Sequence, residues 1–174
     1  VELAGLSGRP MTAVSAAFGL APRINAAGRL DDAMTAVKLL TAQELETARE
    51  LAEELNSANQ ERQALSQKIF EEAEHQLTAQ GSPEWSMVLG EEGWHPGVIG
   101  IVASRMTEKY HLPSVLLSID GDTAKGSCRS IPPLDLYHAL DRCRDHLVQF
   151  GGHAQAAGLT IKTAEIPAFR DAFS

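Results

Sequence analysis

Three short segments of this chain carry residue types that could hold an anion. In Phe150-Gly151-Gly152-His153-Ala154-Gln155-Ala156-Ala157-Gly158, two adjacent glycines can take positive φ and leave backbone N–H groups unshielded, and the Ala-Gln-Ala-Ala run is compatible with a helical turn. N–H groups at a helix start have no intrahelical partner and the helix dipole favours negative charge there, so a phosphate fits such a corner. His153 stands where its imidazole could donate to the same anion, and Gly158 ends the turn before Leu159-Thr160-Ile161. A plain turn with a satisfied histidine is the competing reading.

The second segment, Gly93-Trp94-His95-Pro96-Gly97-Val98, leads into an apolar helix, so Gly97 and its successors would offer N–H groups while Trp94 and His95 flank the approach. The alternative is Trp94 as a core lid and His95 as a loop residue. The third, Lys125-Gly126-Ser127-Cys128-Arg129-Ser130, alternates as a strand does. Lys125, Ser127 and Arg129 then share one basic, hydroxylated face suited to an oxyanion, although a solvated edge strand would look similar. A fourth stretch, Ala21 to Leu30, interleaves Arg23, Asn25 and Arg29 with small residues. It reads as a loop whose guanidinium groups fork onto phosphate or carboxylate, or simply pair with Asp31 and Asp32.

What is missing narrows the chemistry. The six histidines are scattered, and no run has the spacing of a hydrolytic metal site; Asp120-Gly121-Asp122 reads as a hairpin turn. Cys128 and Cys143 lack metal-ligand spacing and offer no disulfide framework, which suits a reducing cytoplasm and leaves their pairing open. There is no Walker loop and no nucleophile elbow. The net charge of -8 argues against non-specific coating of nucleic acid, so any such site must be small and focused. No apolar run reaches the ~20 residues of a membrane span. Val1-Glu2-Leu3 has neither an initiator Met nor a leader pattern, and the chain is expected to be a piece of a longer one.

The positioning elements follow from periodicity. Residues 9–20 read as a short helix broken at Gly19, and a second helix starts at Asp31, with Asp31 and Asp32 favouring its N-terminus. Residues 42–80 contain neither proline nor glycine and predict one long helix, about 50–60 Å at 1.5 Å per residue, connecting two bodies. Its apolar stripe is interrupted by a polar Asn59 to Gln63, which weighs against a coiled coil. After Gly81-Ser82-Pro83 the pattern changes: strands over 86–90, 113–119, 123–129 and 159–162, and helices over 98–106, 135–147 and 164–173. The fold class is α/β, a small mixed sheet with helices packed over it.

Together, Pro22 to Leu30, Gly93 to Arg105, Gly126 to Ser130 and Gly151 to Gly158 resemble four ordered motifs of the RecJ family, single-stranded-DNA-specific exonucleases of the DHH phosphoesterase superfamily. The resemblance implies a tail of the DHH catalytic domain over 1–41, a connector helix over 42–80 and a DHH-associated substrate-binding domain over 84–174. It implies 5′-to-3′ hydrolysis of single-stranded DNA with Mn²⁺ or Mg²⁺ held by ligands outside this chain, so that no catalytic or metal residue is expected in it and the chain alone is expected to be inactive. By the same resemblance Ser127 and Arg129 would hold the 5′ phosphate. Gly151, Gly152 and His153 would face the metal centre, Arg23, Asn25 and Arg29 would line the DNA path, and His95, Ser130 and Gly158 would complete the substrate site. Cys128 stands where the family pattern has glycine, implying a more crowded pocket. A cytoplasmic monomer acting in DNA repair and recombination, with single-stranded DNA as partner and no membrane, is the expectation. Two other readings stay open: a family phosphodiesterase of short oligonucleotides or cyclic dinucleotides, and a non-catalytic protein-interaction module.

Overall fold

The computed structural model describes residues 1–8, 10–30, 32–81 and 84–174. Their packing forms two compact units, Val1–Leu65 and Ser66–Ser174.

In the first unit Thr12 opens a short helix α1 (Ala13–Ser15), its Oγ1 accepting from the Ser15 N–H at 3.1 Å. The chain runs through one π-helical turn (Ala16–Leu20) directly into α2 (Ala21–Leu30). Gly19 therefore does not break a helix, and Ala21 to Leu30 is not a loop. Pro22, which has no N–H to donate, follows the π turn inside this continuous helical run. Gly19 serves a close approach instead: a Cβ there would stand 2.7 Å from Leu6 Cδ1. Helix α3 (Met34–Thr41) starts with Asp32 Oδ1 accepting from the Met34 N–H at 2.9 Å. Asp31 lies outside the described residues, as do Ser82 and Pro83 of the expected helix stop. Ala27, Ala36 and Leu55 form the small core of this unit, alanines allowing the helices to approach closely.

Helix α4 runs unbroken over Leu45–Gln80, and its second half belongs to the other unit. Its buried stripe is continuous. Leu55, Asn59, Ser66, Ile69, Ala73 and Leu77 are all buried, so Asn59 is part of the packed face and not of a polar gap.

The second unit is built on a five-stranded sheet in the order β1-β2-β3-β5-β4. Its strands are β1 (Met87–Glu92), β2 (Ser114–Asp120), β3 (Thr123–Arg129), β4 (Leu147–Gly152) and β5 (Ala156–Lys162). β1 and β2 are parallel, joined by α5 (Pro96–Tyr110), and the remaining pairs are antiparallel. Alternation assigns the faces. Ser114 and Ser118 point to the α5 side, bonding Ala103 O at 2.9 Å and Trp94 O at 2.6 Å. Val115, Leu117, Ala124 and Cys128 point the other way, into a core closed by α6 (Leu136–Arg142) and α7 (Ile166–Phe173). The second half of α4 packs beside α5. Arg105 lies 4.0 Å over the Phe70 ring, and Glu74 accepts from Lys109 Nζ and, at 2.5 Å, from the Tyr110 hydroxyl.

The expected helix over 135–147 is shorter. Asp135 Oδ1 caps α6 by accepting from the His138 N–H at 3.1 Å, the helix stops at Arg142, and a 3-10 turn (Arg144–His146) leads into β4, a strand the pattern did not reveal. The β4–β5 pairing also removes the helical corner expected after Gly152. Ala156, Ala157 and Gly158 are strand residues, and the His153 N–H closes the hairpin on Ala156 O at 2.9 Å.

Candidate functional site

Ser127 and Arg129 project from the α5 side of β3, and α5 is shaped to receive them. Arg129 Nη1 donates to Ser127 Oγ at 3.2 Å and to Cys128 O at 2.8 Å, while Nε donates to Ser104 Oγ at 3.0 Å. The two hydroxyls differ in what they have left to give. Ser104 accepts from Arg129 and donates to Gly100 O at 3.2 Å, so its donor is used. Ser127 accepts from Arg129, and among the described residues its hydroxyl donates to no acceptor, which leaves an O–H for a bound anion beside a fixed guanidinium. Gly100 makes the approach possible: a Cβ there would lie 2.9 Å from Ser127 Oγ and 3.1 Å from Arg129 Nη2. The sequence reading passed over Gly100 and Ser104, although their i, i+4 spacing after Gly97 puts them on one helix face.

Beside this pair lies an open cleft of about 530 Å³. Its floor follows from register. Ser127 is opposite Gly158, which is opposite Gly151; one step along, Lys125 is opposite Thr160, which is opposite Gln149. Directly opposed residues share a face. Helix α5 packs over β2 and β3, so β5 and β4 carry the exposed part of the floor, with Pro96 and Ile99 of α5 as the facing wall. Lys125 is exposed, with no ion-pair partner among the described residues. Gln149 and Thr160, linked at 3.2 Å, were missed with β4.

The remaining expected residues fall in different places. His95 caps α5, its Nδ1 accepting from the Gly97 N–H at 3.1 Å, so in the neutral ring the proton sits on Nε2. Trp94 is 3% exposed and donates to Glu72 Oε2 at 2.8 Å, which makes it part of the core. Ser130 holds the loop that follows β3, donating to Leu134 O at 2.8 Å. Gly152, at φ 150°, and His153 form the hairpin end, with His153 exposed. Cys128 is 0% exposed on the face away from Ser127, where burial pushes its thiol up to about 12. It does not crowd the cleft, contrary to the expectation.

In the first unit, α2 separates its polar residues by about 100° per residue. Asn25 and Arg29 share an exposed face and line a second cleft with Gly28. Arg23 is on the other side and is tied inward, to Asn56 Oδ1 at 3.0 Å, Gly19 O at 2.6 Å and Leu3 O at 3.4 Å. Arg62 of α4, not singled out from sequence, donates to the buried Asn59 Oδ1 at 3.1 Å. Burial and the nearby charge of Arg29 lower its pKa. Among the described residues no group of three or more His, Cys, Asp or Glu is placed to hold a metal ion, so the side chains present do not fit one. No helix of the described residues is long and apolar enough to cross a membrane.

The five-stranded mixed sheet and the helices packed on it define an α/β domain, and the DHHA1 domain family matches it over residues 84–174. The chain belongs to that family. Its relatives are RecJ proteins. The single-stranded-DNA-specific exonuclease RecJ of Bacillus subtilis (strain 168) is 43% identical over 88% of this chain and 20% of its own length. That of Escherichia coli (strain K12) is 37% identical over 99% of this chain and 32% of its own. The crystal structure of Thermus thermophilus RecJ in complex with Mg²⁺ is similar at a TM-score of 0.86 and 38% identity, covering 99% of this chain and 27% of that one, and a second is in complex with Mn²⁺. The chain thus spans about a fifth to a third of the curated relatives it matches.

Proposed function

We propose that this chain is the substrate-positioning part of a 5′-to-3′ single-stranded-DNA exonuclease. Its division is a DHH-domain tail over 1–41, a connector over 42–80 and a DHH-associated domain over 84–174. The observation that carries the reading is the Ser127–Arg129 pair, a hydroxyl with a donor to spare beside an oriented guanidinium, opening onto a cleft large enough for one nucleotide. A terminal 5′ phosphate is the ligand. Phosphodiester hydrolysis belongs to Mn²⁺ or Mg²⁺ ligands elsewhere in the intact enzyme, in keeping with the ions named in the solved RecJ structures. Asn25 and Arg29 offer an exposed face to the DNA backbone. The setting is the cytoplasm, in DNA repair and recombination, as a monomer.

Fluorescent single-stranded oligonucleotides with and without a 5′ phosphate, titrated at low salt into the wild-type chain and Arg129→Ala, test this. The phosphorylated end should bind more tightly to wild type only. Equal binding of both ends by wild type would overturn the assignment.

A further inference from the structure

Arg62 of α4 is a cation that the fold leaves under-compensated. The side chain is half-buried, and its one hydrogen bond among the described residues runs from Nη2 to Asn59 Oδ1 at 3.1 Å. No carboxylate among the described residues pairs with it. Its Nε is shut off from solvent and donates to nothing, and no other side-chain N or O atom of the described residues is buried in this way without a partner. A guanidinium keeps its charge and offers several donors, so one taken partly out of water normally rests on an acid or on several carbonyls. The charge that acts on Arg62 has its own sign instead. Burial and, after it, the charge of Arg29 lower its pKa, and Arg29 is exposed on α2, where it lines a cleft with Asn25 and Gly28. The first unit thus brings two cations together, and an anion between them would offset both the repulsion and the unused donor.

We propose that Arg62 and Arg29 share one oxyanion, an internal phosphodiester of the single strand. This deepens the proposed function and rests on its placing of Arg29 against the DNA backbone; Arg62 is the added residue. Guanidinium groups from two different helices can reach a tetrahedral phosphate from two sides, whereas a planar carboxylate is matched by a single fork. Asn59 is 3% exposed and lies one turn before Arg62 on the same helix, so the head of Arg62 is held in place before a ligand arrives and less ordering is left to binding. The cleft beside Arg29, about 620 Å³ and open, has room for the nucleotide that carries the phosphate.

The test uses the full 174-residue chain and a 5′-hydroxyl oligothymidylate, which keeps the end clamp silent. The slope of log affinity against log salt should fall by about one unit in Arg62→Gln, which retains a donor toward Asn59 but no charge, and Arg62→Lys should recover it. Because one phosphate is shared, Arg29→Ala combined with Arg62→Gln should lose no more slope than either change alone. Sodium phosphate, against chloride at equal ionic strength, should raise the melting temperature of wild type and not of Arg62→Gln. An unchanged slope in Arg62→Gln would overturn the proposal, and a loss of about two units in the double variant would overturn the shared site. If acetate stabilises wild type as well as phosphate does and the slope ignores Arg62, the site takes a carboxylate and the DNA assignment falls. A wild-type chain that shows no preference for a 5′ phosphate, yet loses slope in Arg62→Gln, would support this site while striking the end clamp; no salt-dependent binding in wild type would overturn both.

Discussion

Arg129 Nε donates to Ser104 Oγ across 3.0 Å, so the direction of a β3 guanidinium is set by a hydroxyl on α5. Ser104 has no donor left for a ligand, because its proton is engaged by Gly100 O. Ser104→Ala should therefore lower the preference for a 5′-phosphorylated strand by about tenfold, the range of one hydrogen bond to a charged group, with little change for a 5′-hydroxyl strand. Ser104→Thr, which keeps the oxygen, should restore it. Competition binding of the two strands reads this directly, and an undiminished preference in Ser104→Ala would show that Arg129 holds its direction without it.

Glu74 gives stability a defined pH dependence. Its carboxylate accepts from Lys109 and Tyr110, and these bonds hold its pKa below the ordinary value of 4.5 against the opposing effect of burial. That contribution is present above the ordinary value and lost as pH falls through the folded one. The same bond raises Tyr110 to about 12, so the Tyr110 contribution is complete below its ordinary 10.0 and lost as pH rises toward 12. Glu74→Gln should flatten the acid limb, and Tyr110→Phe the alkaline limb, of a melting temperature–pH profile. Both groups are partly solvated, so the effects are expected to be small. Limbs that match wild type in both variants would remove the network from the stability of this unit.

Adjacent glycines in the β4–β5 hairpin should respond unequally to the same substitution. Gly152 is at φ 150° with its pro-Cβ direction 2.5 Å from Ala157 Cα, whereas Gly151 faces open space. Gly152→Ala should cost about 2 kcal/mol or more in urea unfolding, through backbone strain and steric clash, and Gly151→Ala should be close to neutral. Equal costs would mean that the hairpin relaxes around the added methyl.

Two arginines of α2 separate in the same way. Arg23 makes three internal hydrogen bonds, so Arg23→Ala should destabilise by about 2 kcal/mol, a few net hydrogen bonds at most. Arg29 is on the exposed face. Arg29→Ala should reduce the salt dependence of DNA binding by about one unit of slope. A full salt titration against a melting curve distinguishes the two, and an unchanged slope would remove Arg29 from the DNA path.

The shared face of Lys125, Ser127 and Arg129 was legible because strand alternation is local; the same period-two rule puts Cys128 in the core, against the expectation that it crowds the pocket. Hairpin β4–β5 was not legible. Leu147 to Phe150 has strand character but follows α6 without a proline or glycine, and Ala156, Ala157 and Gly158 are poor strand formers. They are extended because β3 and β4 pair on either side of them, which is tertiary information. In the π turn and α2, Gly19, Pro22 and Gly28 are ordinary loop signals; close packing on Leu6 and of Ala27 on Ala36 and Leu55 overrides them. The Asn59–Arg62 pair was hidden by polarity, since a buried polar residue and a solvated one are alike in sequence.

The strand order has a consequence for biosynthesis. β5 is placed between β3 and β4 although it is made after both. Until Ala156 to Lys162 leave the ribosome, β3 has an open edge and β4 has no neighbour, so a nascent chain stalled there would present two pairing templates at once. Emergence of one seven-residue strand seals both edges and brings Gly158 opposite Ser127. The sheet and the floor of the cleft are therefore completed in the same step of synthesis.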